Sequence, residues 1–303
     1  MKLLLWCLMV SIVALSLFSV PAHAKFVGLG EAGEYALFDV SNSGWSMNNS
    51  VILGPMAAGP GTTFNWSGGS GPYSGPIYYP TGGVVPPVNK LGGTPKPTAI
   101  ATDLTQAVLD ARTAAASAAG LTANLTVPGN QITNTTGTIT GLGHGAENVV
   151  DLTQVNMTNG HVLIGGHSDE WFIFRVSGNF SVGNSTIRVT GGLTPDHVLW
   201  YFPNTSTIKS PNGAWDGTIL ALNSGVSFDN TPDDLGPVNG AIIAADDMNN
   251  AKGWEFKIVS GFDLNYSPYE PEQPQSVREP AGLFLLGFGL LGLIGFRKKF
   301  ESK

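Results

Sequence analysis

The sequence predicts a mainly β fold: a right-handed parallel β-solenoid-like domain with one Ala-rich α-helix packed alongside it. Three observations lead to this prediction. Only 12% of the 303 residues are charged while 42% are hydrophobic, and Gly, Ser, Thr and Asn are abundant, which is typical of a folded β protein with many turns. Short β-type runs separated by turn residues fill residues 121–262. Several runs are apolar at consecutive positions, which indicates strands covered on both faces, as in a parallel sheet with a helix outside.

Three of the apolar runs, 198–202, 217–222 and 241–245, recur at about the length of one solenoid coil. We therefore expect them to be neighbouring parallel strands. We also expect that Trp200 and Phe202 do not both point into the core, and that one of them contacts the helix or a loop. A β-sandwich is the alternative fold, because short strands with frequent turns would satisfy the same pattern.

Two segments before residue 121 have different signatures. Residues 102–119 place small apolar residues at helical spacing, begin at a capping Thr102 or Asp103 and stop at Gly120, which predicts the helix. Residues 54–97 contain eleven Gly and nine Pro, a density that predicts a long surface loop rather than a helix or a central strand. The aromatic residues of this loop are candidates for stacking on the sugars of an exopolysaccharide: Phe64, Trp66, Tyr73, Tyr78 and Tyr79.

The first 24 residues predict a secretory signal peptide. Lys2 precedes a long apolar run, Pro21 ends that run, and Ala22 and Ala24 form the small-x-small site that signal peptidase cleaves. A retained membrane helix is the alternative. The only cysteine lies within this segment, so the exported chain would have to fold without disulfides.

The C-terminal end predicts a membrane tail. A Pro-rich linker, 266–277, leads to the uncharged Gly- and Leu-rich segment 281–296. As a helix this segment would be ~24 Å long, shorter than the ~30 Å hydrocarbon core, so the span would be marginal or temporary. The basic residues after it should stay cytoplasmic and place the preceding chain outside: Arg297, Lys298 and Lys299.

The last segment, 278–303, begins with Arg278, Glu279, Pro280 and Ala281. It resembles the PEP-CTERM sorting tail of Gram-negative bacteria, with Arg278 in place of the first Pro of that signature. The resemblance implies an exosortase-type sorting enzyme as a partner. It also implies that the tail holds the protein at the inner membrane, transiently or stably, before the protein reaches the cell surface or the medium. An ordinary C-terminal anchor is the alternative.

The middle of the chain, 25–265, is similar to the choice-of-anchor A adhesin domain. The matching residues are 198–202, Thr207, Ile208, 217–223, Asn239, Gly240 and 242–244. Tyr201 and Leu222 stand where that family usually has Asn and Pro. The helix and the strand at 172–176 are also similar to the bacterial ice-binding β-solenoid fold. Both resemblances imply a solenoid-like surface protein without catalytic residues.

The sequence contains no G-x-S-x-G elbow, no P-loop and no dinucleotide-binding glycine pattern placed before a helix, so no enzyme is predicted. The four His residues after the signal, His144, His161, His167 and His197, have no metal-ligand spacing, and no cofactor is expected. The net charge of −7 without a basic stripe argues against a nucleic-acid partner. Calcium is an open alternative, because aspartates lie near strand ends: Asp229, Asp233, Asp234, Asp246 and Asp247.

These observations predict an exported, non-enzymatic structural or adhesive protein of the cell surface, capsule or biofilm matrix. Exopolysaccharide binding through the aromatic loop is one alternative. Ice binding is another, because Thr residues form a ladder within 131–141. A single strand does not, however, make the flat face that ice recognition needs.

Overall fold

The computed structural model describes residues 27–41, 43–67, 71–92, 95–204, 206–229, 234–246, 255–259, 261–267 and 269. They belong to one unit, Val27–Pro271. The site residues predicted in the two terminal segments lie outside the described residues: Ala22, Ala24, Arg278, Glu279, Pro280, Ala281, Arg297, Lys298 and Lys299. None of the helices in the described ranges is both long and apolar enough to cross a membrane.

Strands dominate the described residues. Before the helix there are eight: β1 (Leu37–Ser41), β2 (Gly44–Asn48), β3 (Val51–Leu53), β4 (Met56–Ala58), β5 (Thr63–Ser67), β6 (Tyr73–Ser74), β7 (Ile77–Pro80) and β8 (Ala99–Thr102). The helix α1 spans Thr105–Ala119. After it come β9 (Gln131–Ile132), β10 (Thr138–Thr140), β11 (Glu147–Leu152), β12 (Gln154–Thr158), β13 (His161–Gly165), β14 (Trp171–Val176), β15 (Phe180–Gly183), β16 (Thr186–Thr190), β17 (Val198–Tyr201), β18 (Ile208–Pro211), β19 (Ala214–Trp215), β20 (Thr218–Ala221), β21 (Val226–Asp229), β22 (Val238–Gly240), β23 (Ile242–Asp246), β24 (Glu255–Val259) and β25 (Asp263–Tyr266).

The strands wind into a three-faced coil, and every strand pairing among the described residues is parallel. Sheet 1 has nine strands in the order β11-β14-β17-β20-β23-β1-β4-β7-β8, and sheet 2 has eight in the order β5-β2-β24-β21-β18-β15-β12-β9. The third face consists of two four-stranded sheets, β10-β13-β16-β19 and β22-β25-β3-β6, joined by a bridge between Asp216 and Asn239. The predicted β-solenoid-like fold is confirmed. The β-sandwich alternative is wrong, because that architecture is built from antiparallel sheets.

The coils do not stack in chain order. The first coil, β1 to β3, pairs with the last coil, β23 to β25, so that Leu37 lies opposite Ile242 and Trp45 opposite Phe256. The strand before α1, β8, lies at one end of sheet 1, and β11 lies at the other end. The helix therefore returns the chain from one end of the solenoid to the other, and the two ends of the domain sequence share one core.

The helix packs outside sheet 1 through small side chains. Its buried residues are Ala107, Val108, Ala111, Ala114 and Ala118. Arg112 donates two hydrogen bonds to the Asp246 carboxylate, at 2.6 and 2.8 Å, and so links the helix to the end of β23. Arg175 of β14 donates to the carbonyl oxygen of Ala119 at 3.1 Å, where a cation complements the helix dipole.

The start of the helix differs from the predicted boundary. Thr102 is the last residue of β8, and the helix begins at Thr105. The Asp103 carboxylate accepts a hydrogen bond from the backbone N–H of Thr105 at 2.9 Å. The N-cap position is Leu104, which makes no side-chain capping hydrogen bond, so the predicted cap at Thr102 or Asp103 is wrong by one or two residues.

The three apolar runs are neighbouring parallel strands as expected, because β17 pairs with β20 and β20 with β23. The expectation for Trp200 and Phe202 is wrong. Both side chains are fully buried in the common core. Residues two positions apart on a strand face the same side, and it is the residue between them that points the other way.

The loop predicted over residues 54–97 is also wrong, because the segment contains β4 to β7 and extends the solenoid beyond the first coil. Glycine is needed there where neighbouring coils approach closely. A Cβ added at Gly59 would lie 1.8 Å from the Val40 carbonyl oxygen, and one at Gly71 would lie 2.0 Å from the Ser50 carbonyl oxygen. The high Gly and Pro content thus reflects tight corners between very short strands.

Candidate functional site

Sheet 2 differs from sheet 1 in having an uncovered face. In sheet 1, strands such as β1, β17 and β20 are buried at every position, because α1 and neighbouring segments pack outside. In sheet 2, buried and exposed positions alternate, as β18 and β21 illustrate. Every second side chain of sheet 2 therefore points to solvent. These outward side chains form a polar surface, here named the sheet 2 face.

One row of short polar and basic side chains crosses the middle of the sheet 2 face. Neighbouring strands lie about 4.8 Å apart, so a row across seven strands is roughly 29 Å long. We name it the central row. The strand register aligns its members in the order Asn156, Ser181, Lys209, Ser227, Lys257, Ser46 and Asn65.

Two ammonium groups give the central row its charge. Within the described residues, Lys209 and Lys257 form no ion pair; the ion pairs found there involve Arg112, His144, Arg175 and Arg188. Acidic residues stand on either side of the row. Asp229 is in register with Val259 and Glu255 with Gly44, so each lies two residues from the row, on opposite sides. Ser46 donates a hydrogen bond to Glu255 at 3.3 Å.

On the third face, a polar network holds the two four-stranded sheets together. Arg188 and Asn239 both donate to Oδ1 of Asp216, at 2.8 and 2.7 Å. Asn265 in turn donates to Oδ1 of Asn239 at 3.2 Å. The network crosses the point where a single bridge joins the sheets. The Asp216 carboxylate is thus committed to a structural role.

Three imidazoles lie at the corner between the third face and sheet 1. His144 stacks on His167 with ring centroids 3.7 Å apart and interplanar angle 24°, and its Nδ1 lies 3.2 Å from Asp169. His197 stacks on Trp171 with centroids 3.8 Å apart. Nitrogens of two stacked rings point along near-parallel planes and do not converge on one ion. No group of three or more His, Cys, Asp or Glu able to hold a metal occurs in the part of the chain that the structure describes.

Glu170 is buried beneath this corner and is saturated with donors. Its carboxylate accepts from the backbone N–H groups of His167 at 2.7 Å and Gly143 at 2.8 Å, and from the Asn148 side chain at 3.3 Å. Burial raises the pKa of Glu170, but these hydrogen bonds outweigh it and hold the pKa below its usual value. Such a carboxylate stays ionised and anchors loops; it is poorly suited to exchange protons.

Asp39 of β1 is a buried carboxyl group. Its Oδ2 accepts hydrogen bonds from Ser43 at 2.5 Å and Thr62 at 2.9 Å, and its Oδ1 is buried without a hydrogen-bond partner among the described residues. Desolvation dominates over the two hydrogen bonds and raises the pKa of Asp39 to about 7. The two hydroxyl donors belong to the corners of successive coils, so this carboxyl group connects the coils from inside.

The aromatic residues predicted to stack on sugars do not share one exposed platform. Trp66 and Tyr73 are only 2% and 6% exposed, so the predicted stacking role is wrong for these two. Trp66 lies on the inner side of β5 and packs edge-on against Trp45, with centroids 5.5 Å apart. For the half-buried members of the set the role stays a prediction: Phe64, Tyr78 and Tyr79.

Calcium binding also stays a prediction. The Asp246 carboxylate is already engaged by Arg112 and by the Ser41 hydroxyl, which donates at 3.0 Å. Asp233 and Asp247 lie outside the described residues. Asp229 and Asp234 are therefore the members of the predicted set with carboxylates still open to a ligand in the described ranges.

Comparisons with known proteins agree with the fold. Residues 27–253 match the family of ice-binding-like adhesive domains; the match covers most of the chain, and the protein belongs to this family. In structure the chain is similar to a glycosylated ice-binding protein from an Arctic yeast, with TM-score 0.50, 15% identity and coverage of 82% of this chain and 97% of that one. It is also similar to an ice binding protein from an Antarctic biological consortium, with TM-score 0.50, 18% identity and coverage of 79% and 90%. A comparison with curated proteins found no match.

Proposed function

We propose that the protein is an exported, non-enzymatic adhesive protein of the cell surface or extracellular matrix, and that the sheet 2 face is its binding surface. The observation that carries the proposal is the contrast between the two large sheets. Sheet 1 is covered, whereas the sheet 2 face presents a continuous polar row to solvent. A broad, open, polar face suits a large partner rather than a small substrate, which proteins usually enclose in a concave pocket.

Three buried carboxylates are engaged in structural contacts, which supports an adhesive rather than a catalytic role. Asp216, Asp246 and Glu170 each accept hydrogen bonds from arginine, asparagine, serine or backbone donors that hold the solenoid together. General acid–base catalysis needs a group poised to gain or release a proton near the working pH. These three groups are instead held in place by the contacts that join neighbouring parts of the solenoid. The family membership points the same way.

Blocking the sheet 2 face should release the protein from the matrix. We expect Ser227→Trp, a bulky side chain in the middle of the central row, to reduce retention in the host's extracellular matrix at least tenfold. Ser227 is exposed, so the indole should not disturb the core. The measurement is the fraction of protein sedimenting with washed matrix, in cells that lack the native gene.

The matched control is Leu163→Trp, which adds an indole at an exposed position of the third face. This variant should be retained like the wild type. Equal retention of all three proteins would remove the sheet 2 face from the proposal, and loss of retention in Leu163→Trp alone would move the binding surface to the third face.

For the route to the surface, we propose export through the signal peptide, followed by sorting through the PEP-CTERM-like tail by an exosortase-type enzyme. The support is the order of features at the end of the sequence: a Pro-rich linker, Glu279-Pro280, an uncharged Gly/Leu segment, then basic residues. Truncation after Val277 should release the protein from the inner membrane, because the apolar segment is removed. Its thermal unfolding midpoint should match that of the complete chain. A truncated protein that stays in the membrane fraction, or that fails to fold, would contradict the sorting proposal.

Ice binding is the second candidate, favoured by the structural likeness to ice-binding proteins and by the solvent-facing side of the eight-stranded parallel sheet 2. The central row argues against it, because Lys209 and Lys257 carry strongly hydrated charges in the middle of the face. A thermal-hysteresis measurement separates the two candidates. Adhesion without ice binding predicts no gap between melting and freezing, and a measurable gap would favour ice binding.

A further inference from the structure

We infer that the central row binds an anionic polysaccharide, a polymer with carboxylate-bearing sugars, lying across the strands of sheet 2. The inference rests on the proposed adhesive function and names the class of partner. It differs from the sequence-based hypothesis in both surface and chemistry. The predicted site was a set of aromatic residues for sugar stacking; the structure instead offers ammonium, hydroxyl and amide groups in one line.

The spacing of the charges suits a sugar polymer. Lys209 and Lys257 are separated by one strand, with Ser227 between them, so their attachment points lie about 9.6 Å apart, roughly the length of two pyranose rings in an extended chain. Each ammonium group can donate up to three hydrogen bonds to a carboxylate. The Ser and Asn members between and beyond the lysines can bond sugar hydroxyls. Charges and hydroxyl partners therefore alternate along the row as they do along a polyuronate.

The arginines of the described residues are held in ion pairs, whereas the two lysines of the central row are not and can bind an external anion. The guanidinium groups of Arg112, Arg175 and Arg188 are bound to Asp246, Asp151 and Asp216. Lys209 and Lys257 have no such partner among the described residues. The chain as a whole carries a net charge of −7, but charges more than ~8 Å away are largely screened at physiological ionic strength. The local charge of the row therefore decides what it attracts.

The acidic residues beside the row define its direction. Asp229 lies on one side and Glu255 on the other, each two residues along its strand from the row, or about 7 Å. The Glu255 carboxylate reaches the row at Ser46, beyond Lys257. A polyanion that drifts sideways meets a carboxylate, whereas one that follows the row from Asn156 to Lys257 meets both lysines. The arrangement favours a single chain running across the strands. A small anion would touch one lysine only, so a polymer gains from engaging both sites at once.

The test measures binding of the full-length protein to immobilised alginate, a polymer of uronic acids, and to a neutral glucan of the same length. We expect clear retention on alginate at low salt and little on the glucan. Lys209→Ser and Lys257→Ser should each weaken alginate binding at least tenfold, and the double variant should reduce it to background. Both positions are solvent-facing, so the thermal unfolding midpoint should not change.

The matched control is Lys90→Ser, which removes one charge from an exposed lysine in the 3₁₀ turn Val88–Lys90, outside the strands that carry the central row. It should bind alginate like the wild type. Equal weakening by Lys90→Ser would mean general charge attraction and would overturn the inference. Equal binding to the neutral glucan, or to double-stranded DNA with the same response to the lysine variants, would overturn the assignment to an anionic polysaccharide.

The inference and the proposed function fail differently. If Ser227→Trp releases the protein from matrix while both lysine variants bind alginate like the wild type, the adhesive face stands and the anionic partner is wrong. If Ser227→Trp remains in the matrix although the lysine variants no longer bind alginate, the row binds polyanions but does not mediate adhesion.

Discussion

Replacing Trp200 with Ala should lower the free energy of unfolding by about 3–5 kcal/mol, the usual range for removing a buried tryptophan. Trp200 is fully buried and stacks on Phe174 with ring centroids 4.3 Å apart. Its Nε1 donates a hydrogen bond of 2.9 Å to the carbonyl oxygen of Asp216. The substitution would leave a cavity in the core and an unsatisfied buried carbonyl. Urea unfolding followed by tryptophan fluorescence or circular dichroism measures the change.

Trp200→Phe separates the two contributions. This variant keeps an aromatic ring beside Phe174 but removes the hydrogen bond to Asp216, so the expected decrease is smaller, about 1–2 kcal/mol. Leu163→Ala, at a position that is 41% exposed, serves as the surface control and should change stability by less than about 0.5 kcal/mol. A decrease below about 1 kcal/mol for Trp200→Ala would contradict a continuous core at this coil.

Asp39→Asn should remove a pH dependence from the stability of the fold. Burial raises the pKa of Asp39 to about 7, whereas in the unfolded chain it is near ~4. The folded state therefore holds a proton that the unfolded state has released between these values. Stability contributed by this group is fully present below about pH 4 and is lost as the pH rises to about 7. Over this window the contribution is on the order of 4 kcal/mol.

The amide introduced by this substitution does not titrate, so the variant should gain stability relative to the wild type as the pH rises. We expect the difference in unfolding free energy between variant and wild type to grow between about pH 4 and pH 8, in the variant's favour. Asp234→Asn, at an exposed position, is the matched control and should leave the profile unchanged. Parallel pH profiles for Asp39→Asn and the wild type would show that Asp39 ionises as readily inside the core as in water.

The strands of successive coils could be predicted from sequence because each one depends on a short local pattern of residues. The runs that became β17, β20 and β23 are apolar at consecutive positions and evenly spaced, and both features follow from strands covered on two faces. The helix was predictable from its small-residue periodicity. The error over Trp200 and Phe202 was one of geometry, since residues two apart share a face. The error over residues 54–97 arose because Gly and Pro at solenoid corners have the same composition as a loop.

The closure of the domain could not be predicted from the sequence. β1 and β23 lie about 200 residues apart in the chain, and no local pattern states that the first coil stacks on the last. Their pairing depends on the helix returning the chain along sheet 1, which is a property of the whole fold. The register that places Leu37 opposite Ile242 is likewise visible only once the coils are assembled.

The candidate site was missed for the same reason. The seven members of the central row come from seven strands spread over residues 46–257, in a spatial order that differs from their chain order. One local signal was present: Lys209 lies between Ile208 and Ser210, both of which are buried, and Lys257 lies between two buried apolar residues. A lysine at the outward position of an alternating strand marks the solvent face. Only the register shows that two such lysines lie in one line.

The most direct test of the sheet 2 face as the binding surface is lysine footprinting with the host's own matrix. The full-length protein is acetylated with and without matrix, and the modification of each lysine is measured by mass spectrometry. We expect Lys209 and Lys257 to be protected at least fivefold by matrix, while the exposed Lys90 reacts equally in both conditions. Protection of Lys90 with unchanged labelling of Lys209 and Lys257 would contradict the account and place the binding surface elsewhere.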